Sequence, residues 1–135
     1  TERVLGPLSL LSAHTTYPDE PSLCETAVLA RLVSGKRQEV SILATVGGIQ
    51  PERQEFTVKG TKTSRRITDF HKDSISDGSD FIALREPLKD PRAISLKVQL
   101  DELSLLLAAK PNRLATIDEA FRVQALVESI LARTI

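Results

Sequence analysis

Two alternating runs on either side of a short turn constrain this chain more than any other feature. Residues 23–33 place Thr26, Val28, Ala30 and Leu32 on one side, and Ala27, Leu29, Arg31 and Val33 on the other. Ser34-Gly35-Lys36 reads as a turn, and residues 39–46 return with Val40, Ile42, Ala44 and Val46 on one side. Successive side chains of a strand point to opposite faces, so the pair predicts a long antiparallel hairpin. Leu29 and Val33 leave its second face partly apolar too. One face is then available to helices and the other to a second subunit.

Other short runs extend the same pattern. Gly6-Pro7 punctuates the start, and residues 8–14 form an apolar run read as a strand. Residues 17–22, with two prolines and two acids, read as a loop. After a break at Gly47-Gly48 and Pro51, residues 54–59 and 64–70 predict a second hairpin around Gly60-Thr61-Lys62, with Phe56 and Val58 on one strand and Ile67 on the other. Residues 70–80 are polar and read as irregular, closing into a short strand at 81–84. These connections are too short for crossover helices, which makes the sheet antiparallel.

The last third is helical. Asp90-Pro91 supplies a cap and a first-position proline, and Leu96, Leu100, Leu103 and Leu107 follow as a stripe that ends before Lys110-Pro111-Asn112. Thr116 with Glu119 three residues later is a capping box opening a final helix. Asp118 suits the positive end of its dipole and Arg133 the negative end. At about 100° per residue, Ile117, Ala120, Phe121, Val123, Val127, Ile130 and Leu131 share one arc, opposed by Arg122, Ser129 and Arg133. Gln124 and Glu128 fall inside that arc. Either they lie at its rim, or the face meets something outside this chain. Strands first and helices last predict an α+β domain over residues 1–135: an open-faced, mostly antiparallel sheet with two C-terminal helices on one face.

At 135 residues, one domain with a substantial core is expected. Lys+Arg and Asp+Glu both number 18, a balance unlike the basic excess of nucleic-acid or anionic-membrane binders. No apolar run approaches the roughly 18 residues of a membrane-spanning helix, and no signal peptide is visible. The single cysteine, Cys24, rules out an internal disulfide framework and favours a cytoplasmic setting. Thr1 opens a chain without methionine, which points to a fragment or processed form.

Chemistry-bearing residues are few. His14, Asp19, Cys24 and His71 match no paired metal-ligand spacing. Cys24 has no neighbouring histidine to activate it and reads as a small packed residue in a strand. Gly47-Gly48 and Gly60 lack the further glycine, lysine and helix start of a phosphate cradle, so they read as turns. Arg65 and Arg66 point to opposite faces of a strand. Asp69, Asp73, Asp77 and Asp80 fit no calcium loop and read as a solvated segment. Nothing here assembles a nucleophile, a base and an oxyanion site.

The run from Leu114 to Leu131, Leu-Ala-Thr-Ile-Asp-Glu-Ala-Phe-Arg-Val-Gln-Ala-Leu-Val-Glu-Ser-Ile-Leu, resembles the closing helix of the glucose–fructose oxidoreductase / inositol dehydrogenase (Gfo/Idh/MocA) family of nicotinamide-dependent oxidoreductases. Val4-Leu5-Gly6 is similar to the end of the helix that enters that family's sheet, and residues 25–35 to the following strand and turn. Gln54-Glu-Phe-Thr-Val-Lys-Gly60, with Arg66-Ile-Thr-Asp69 after it, resembles a strand, glycine turn and strand of the family. These pieces occur in the family's order and cover most of the chain.

The resemblance implies the C-terminal domain of an oxidoreductase acting on a sugar, polyol or related compound. NAD or NADP is then held by a separate Rossmann domain, and hydride passes between the nicotinamide and a carbinol carbon. This chain departs from the full pattern. It has no G-x-G-x-x-G, no Glu-Lys-Pro segment with its catalytic lysine, and no aspartate–histidine helix before Val4; Thr63 stands where the family often has a second glycine. No catalytic, cofactor-binding or metal-binding residue is therefore assigned to it. The implied role is walling the substrate side and pairing subunits into a homo-oligomer through the open sheet face, with the chain itself not catalytic. The competing expectations are a standalone α+β binding or oligomerisation module and, third, a small hydrolase or lyase using His14 or His71.

Overall fold

Two antiparallel hairpins seed two separate sheets. In chain order the elements are α1 (Glu2–Leu5), β1 (Leu8–Thr16), β2 (Ala27–Ser34), β3 (Glu39–Thr45), β4 (Glu55–Lys59), β5 (Ser64–Thr68), β6 (Lys72–Ser76), β7 (Ile82–Ala83), α2 (Pro91–Leu107) and α3 (Ile117–Leu131). The structure, a computed structural model, describes residues 2–20, 22–49, 51–86 and 89–132. Its contacts form two compact units: residues 1–50 with 115–135, and residues 51–114. All the sheet pairing is antiparallel, as the short turns require. The α+β class holds, with the antiparallel strands shared between two sheets.

In the first unit β2 lies between β1 and β3. Val28, Ala30 and Leu32 are buried on one face, while Leu29 and Arg31 are exposed on the other. Period-two alternation has thus sorted this strand as its sequence predicts. Ile130 of α3 joins the three buried residues, with Leu8, Leu10, Val40, Ile42, Leu126 and Leu131 packed around them. Leu32 is the anchor at 2% exposure. Burying such a side chain contributes about 1.5–3 kcal/mol.

Helix α3 is tied down at both ends. Glu119 N–H donates to the Thr116 hydroxyl at 3.2 Å, and Thr116 N–H donates to the Glu119 carboxylate at 2.8 Å, completing the capping box. At the far end Thr15 Oγ1 donates to the Ile130 carbonyl at 2.8 Å, and the Tyr17 hydroxyl to the Leu131 carbonyl at 2.6 Å. Two carbonyls that a helix terminus leaves unpaired thereby gain partners from β1 and the loop after it. Arg133, expected near this end, lies outside the described residues.

The packed stripe of α3 differs from the arc read in the sequence. Leu126, Ile130 and Leu131 meet the sheet, whereas Ile117 and Phe121 face solvent, Phe121 at 72% exposure. Only the C-terminal turns reach β1 and β2, so apolar residues in the first turns find nothing to cover. Gln124 and Glu128 are exposed and bonded to each other, Nε2 donating to the carboxylate at 2.6 Å.

The second unit pairs Phe56 with Ile67 and Val58 with Arg65 across β4 and β5. Residues 70–80, expected to be irregular, contain strand β6, which pairs with β5 from Ser64↔Ser76 to Thr68↔Lys72. Lys72-Asp-Ser-Ile-Ser76 has little apolar alternation to announce a strand. Tertiary partners hold it instead: Asp73 accepts from Arg65, and Ser74 Oγ donates to the Arg66 carbonyl at 3.2 Å.

Helix α2 starts where the sequence places it, with Ala93 N–H donating to the Asp90 carboxylate at 3.0 Å. Its end is a Schellman turn, in which Lys110 N–H donates to the Leu105 carbonyl and Ala109 N–H to that of Leu106. Ala109 sits at φ +53°, the left-handed position that glycine normally fills. The stripe of Leu96, Leu100, Leu103 and Leu107 is exposed along its length. Glu102 is the buried residue of this helix.

Candidate functional site

The outer face of the first sheet is the best-defined surface available for function. His14 lies opposite Leu29, and Leu29 opposite Leu43, making one cross-strand row. Ser12, Arg31 and Ser41 form the next row. Between Leu10 and Ser12 the register slips, leaving Leu11 as an extra residue in a bulge. Leu11, Leu29 and Leu43 are 53%, 55% and 77% exposed. Arg31 donates to Glu39 at 2.6 Å, so the charge on this face balances within it. With α3 seated on the opposite face, these leucines have no cover within the unit.

A cleft of about 510 Å³ opens where α1 meets the first turns of α3, lined by Glu2, Arg3, Pro7, Ala120, Arg122 and Val123 among others. Its charges are already paired. Arg3 contacts Glu119 at 2.8 Å and Arg122 lies 3.9 Å from Glu2. The Thr116 amide, then Arg3, hold the Glu119 carboxyl below the usual glutamate range. This cleft has no counterpart in the sequence reading, because residues over a hundred positions apart build it. It joins the start of the chain to the closing helix and offers no spare charge to a ligand.

The residues singled out in the sequence occupy scattered places. His14 is on the outer face of β1, Asp19 in the loop after it, and His71 in the turn between β5 and β6. Cys24, expected to pack within a strand, is exposed, since β2 begins only at Ala27. Among the described residues no three His, Cys, Asp or Glu side chains gather as a metal-holding group. The aspartates of the 69–80 segment serve local bonds. Asp69 pairs with Lys72 at 2.7 Å, Asp73 with Arg65 and Arg85, and Asp77 accepts from Ser79. Lys72 holds the Asp69 carboxyl, and Ser79 that of Asp77, below the usual aspartate range.

The arginine doublet splits as strand geometry demands. Arg65 faces Asp73, while Arg66 reaches Glu55 at 3.3 Å and stacks over the Phe81 ring at 3.8 Å from its centre. Arg53, then the Thr57 hydroxyl, depress the Glu55 carboxyl.

The glycines do not fit a nucleotide cofactor. Gly60 closes the β4–β5 hairpin, where a Cβ would stand 2.5 Å from the Thr63 carbonyl oxygen. Gly47 and Gly48 take positive φ just after β3. Neither turn opens into a helix whose first amides could receive a pyrophosphate. Among the described residues no helix is long and apolar enough to cross a membrane.

Comparison of the chain with models of known protein families, with curated proteins and with solved structures finds no match.

Proposed function

We propose that this chain is the substrate-side, subunit-pairing C-terminal domain of an NAD(P)-dependent oxidoreductase of the glucose–fructose oxidoreductase / inositol dehydrogenase kind, acting on a sugar, polyol or related hydroxyl compound. A cytoplasmic setting belongs to the same reading. One observation carries it: a sheet whose inner face is filled by Val28, Ala30, Leu32 and Ile130 while Leu11, Leu29 and Leu43 stand uncovered outside. A sheet with two apolar faces and one covering helix is suited to pairing with a second copy through the open face. The run from Leu114 to Leu131 and the glycine hairpin at Gly60 give this pairing domain its resemblance to the oxidoreductases.

The nicotinamide, bound on another domain, supplies hydride transfer. Residues of this chain wall the substrate and hold the assembly; none of them is given a step in the reaction. The gene upstream of Thr1 tests the reading. An in-frame strand, glycine-rich loop and helix within roughly 120 residues, about one domain, supports it. A start codon directly before Thr1 contradicts it. The isolated chain should show no heat of binding with NAD or NADP in calorimetry, and tight binding would overturn the assignment of the cofactor to another domain.

A standalone interaction module is the second reading, favoured by the exposed leucine stripe of α2. It predicts the start codon.

A further inference from the structure

We propose that His14 makes self-pairing of the first sheet's outer face sensitive to pH. This rests on the pairing role given above and adds a control to it. His14 sits on the exposed side of β1 directly across from Leu29, which lies across from Leu43. A second copy is the occupant that the charges on this face favour. Arg31 and Glu39 supply one charge of each sign, so a two-fold copy can set each arginine beside the other copy's glutamate. Pairing of that kind takes the imidazole out of water and into an apolar row.

The surroundings of His14 decide which protonation state tolerates that burial. The imidazole has no hydrogen-bond or ion-pair partner among the described residues. Its own strand offers Ser12 and Thr16 on this face, neither of them charged. The adjacent strand β2 contributes Arg31 one row away, a cation, and the carboxylate beyond it on β3, Glu39, is already bonded to that arginine. Helix α3 lies on the opposite face of the sheet. No carboxylate within the subunit is therefore free to pair with an imidazolium at this position.

Neutral histidine is accommodated between leucines, whereas the protonated form loses hydration without gaining a counter-ion. Histidine changes charge between about pH 5 and 8, so the surface carries its own switch in that range. The association weakens as the pH falls. Two histidines enter each pair, and a differential of one pKa unit at either is tenfold in the equilibrium.

Sedimentation equilibrium of the chain at about pH 7.5 and about pH 5.5, on either side of the histidine range, tests this beside His14→Gln, His14→Leu and His71→Gln. The wild type and His71→Gln are expected to form dimers at the higher pH and to show a dissociation constant about tenfold or more larger at the lower. His14→Leu, which keeps the face apolar, and His14→Gln are expected to hold the same constant at both. Dimers of equal strength at both pH values, or the same acid weakening in both His14 variants, would overturn the switch and leave the pairing standing. Monomers at both pH values in every variant would overturn the pairing itself.

Discussion

Glu102 wraps the segment after α2 by gripping Arg113 three ways. One carboxylate oxygen accepts the Arg113 backbone N–H at 2.6 Å; the other accepts Nε at 2.7 Å and lies 2.6 Å from a terminal guanidinium nitrogen. Glu102 is the buried residue of a helix whose leucines are exposed, so the ordered end of α2 depends on polar bonds more than on packing. The Arg113 amide, followed by its side chain, holds the carboxyl below the usual glutamate range.

The sign of the pH effect follows from that depression. In the unfolded chain Glu102 takes up its proton in the ordinary glutamate range, and in the fold only at lower pH. Its stabilising contribution is complete above the ordinary range and is lost as the pH falls through the folded value. Thermal melts should show Glu102→Gln less stable than the wild type at neutral pH, with the gap closing in acid. A gap that persists unchanged in strong acid would remove the charge from the explanation.

Ala109 ends α2 in a conformation that L-residues adopt at a cost. Ala109→Gly should stabilise the chain by about 0.5–1 kcal/mol, because glycine takes positive φ freely and relieves more than the flexibility it adds to the unfolded state. Urea unfolding measures it. A destabilisation of similar size would mean that the turn is not strained in solution.

Leu32 and Leu29 sit three positions apart on one strand and belong to opposite faces. Leu32→Ala should cost about 2–4 kcal/mol through lost burial and the cavity left behind. Leu29→Ala should change the stability of the monomer by less than about 0.5 kcal/mol. Equal effects in denaturant unfolding would mean that the outer face is covered within the monomer.

The capping box offers a third stability test. Thr116→Ala removes the hydroxyl that accepts Glu119 N–H and should cost about 1 kcal/mol. Thr116→Ser keeps the acceptor and should recover most of it. If alanine and serine behave alike in urea unfolding, the cap contributes nothing.

How much of this was legible depended on whether a feature is local. The Ser34-Gly35-Lys36 turn, the buried set Val28, Ala30 and Leu32, the Asp90 cap and the Thr116–Glu119 box all arise from neighbours in sequence, and each forms where the residues indicate. Strand β6 was hidden because its pairing is made by Asp73 and Ser74 with β5 rather than by apolar alternation. The packed stripe of α3 was misjudged because periodicity marks an apolar arc without saying how much of it a sheet will reach. Phe121 is on the arc and in water; Leu126 was left off it and is packed.

The candidate surface was half visible. Leu29 and Val33 marked a second apolar face from alternation alone. Leu11 joins that face only through a bulge, and Leu43 only through the register of β3, which fixes its place beside Leu29 and His14. Cys24 was placed a few residues too far into β2, since the strand's start depends on where β1 ends its pairing at Thr16↔Ala27.

The central claim is that this outer face joins two copies of the chain. Sedimentation velocity of the wild type beside Leu29→Glu, at neutral pH and over a range of concentrations, tests it most directly. Leu29→Glu places a charge at the middle of the face, on a residue already exposed in the single subunit, so the fold should survive and circular dichroism can verify that. The account predicts a wild-type dimer and a folded, monomeric Leu29→Glu. A wild type that remains monomeric at high concentration, or a dimer that the glutamate leaves intact, would contradict it.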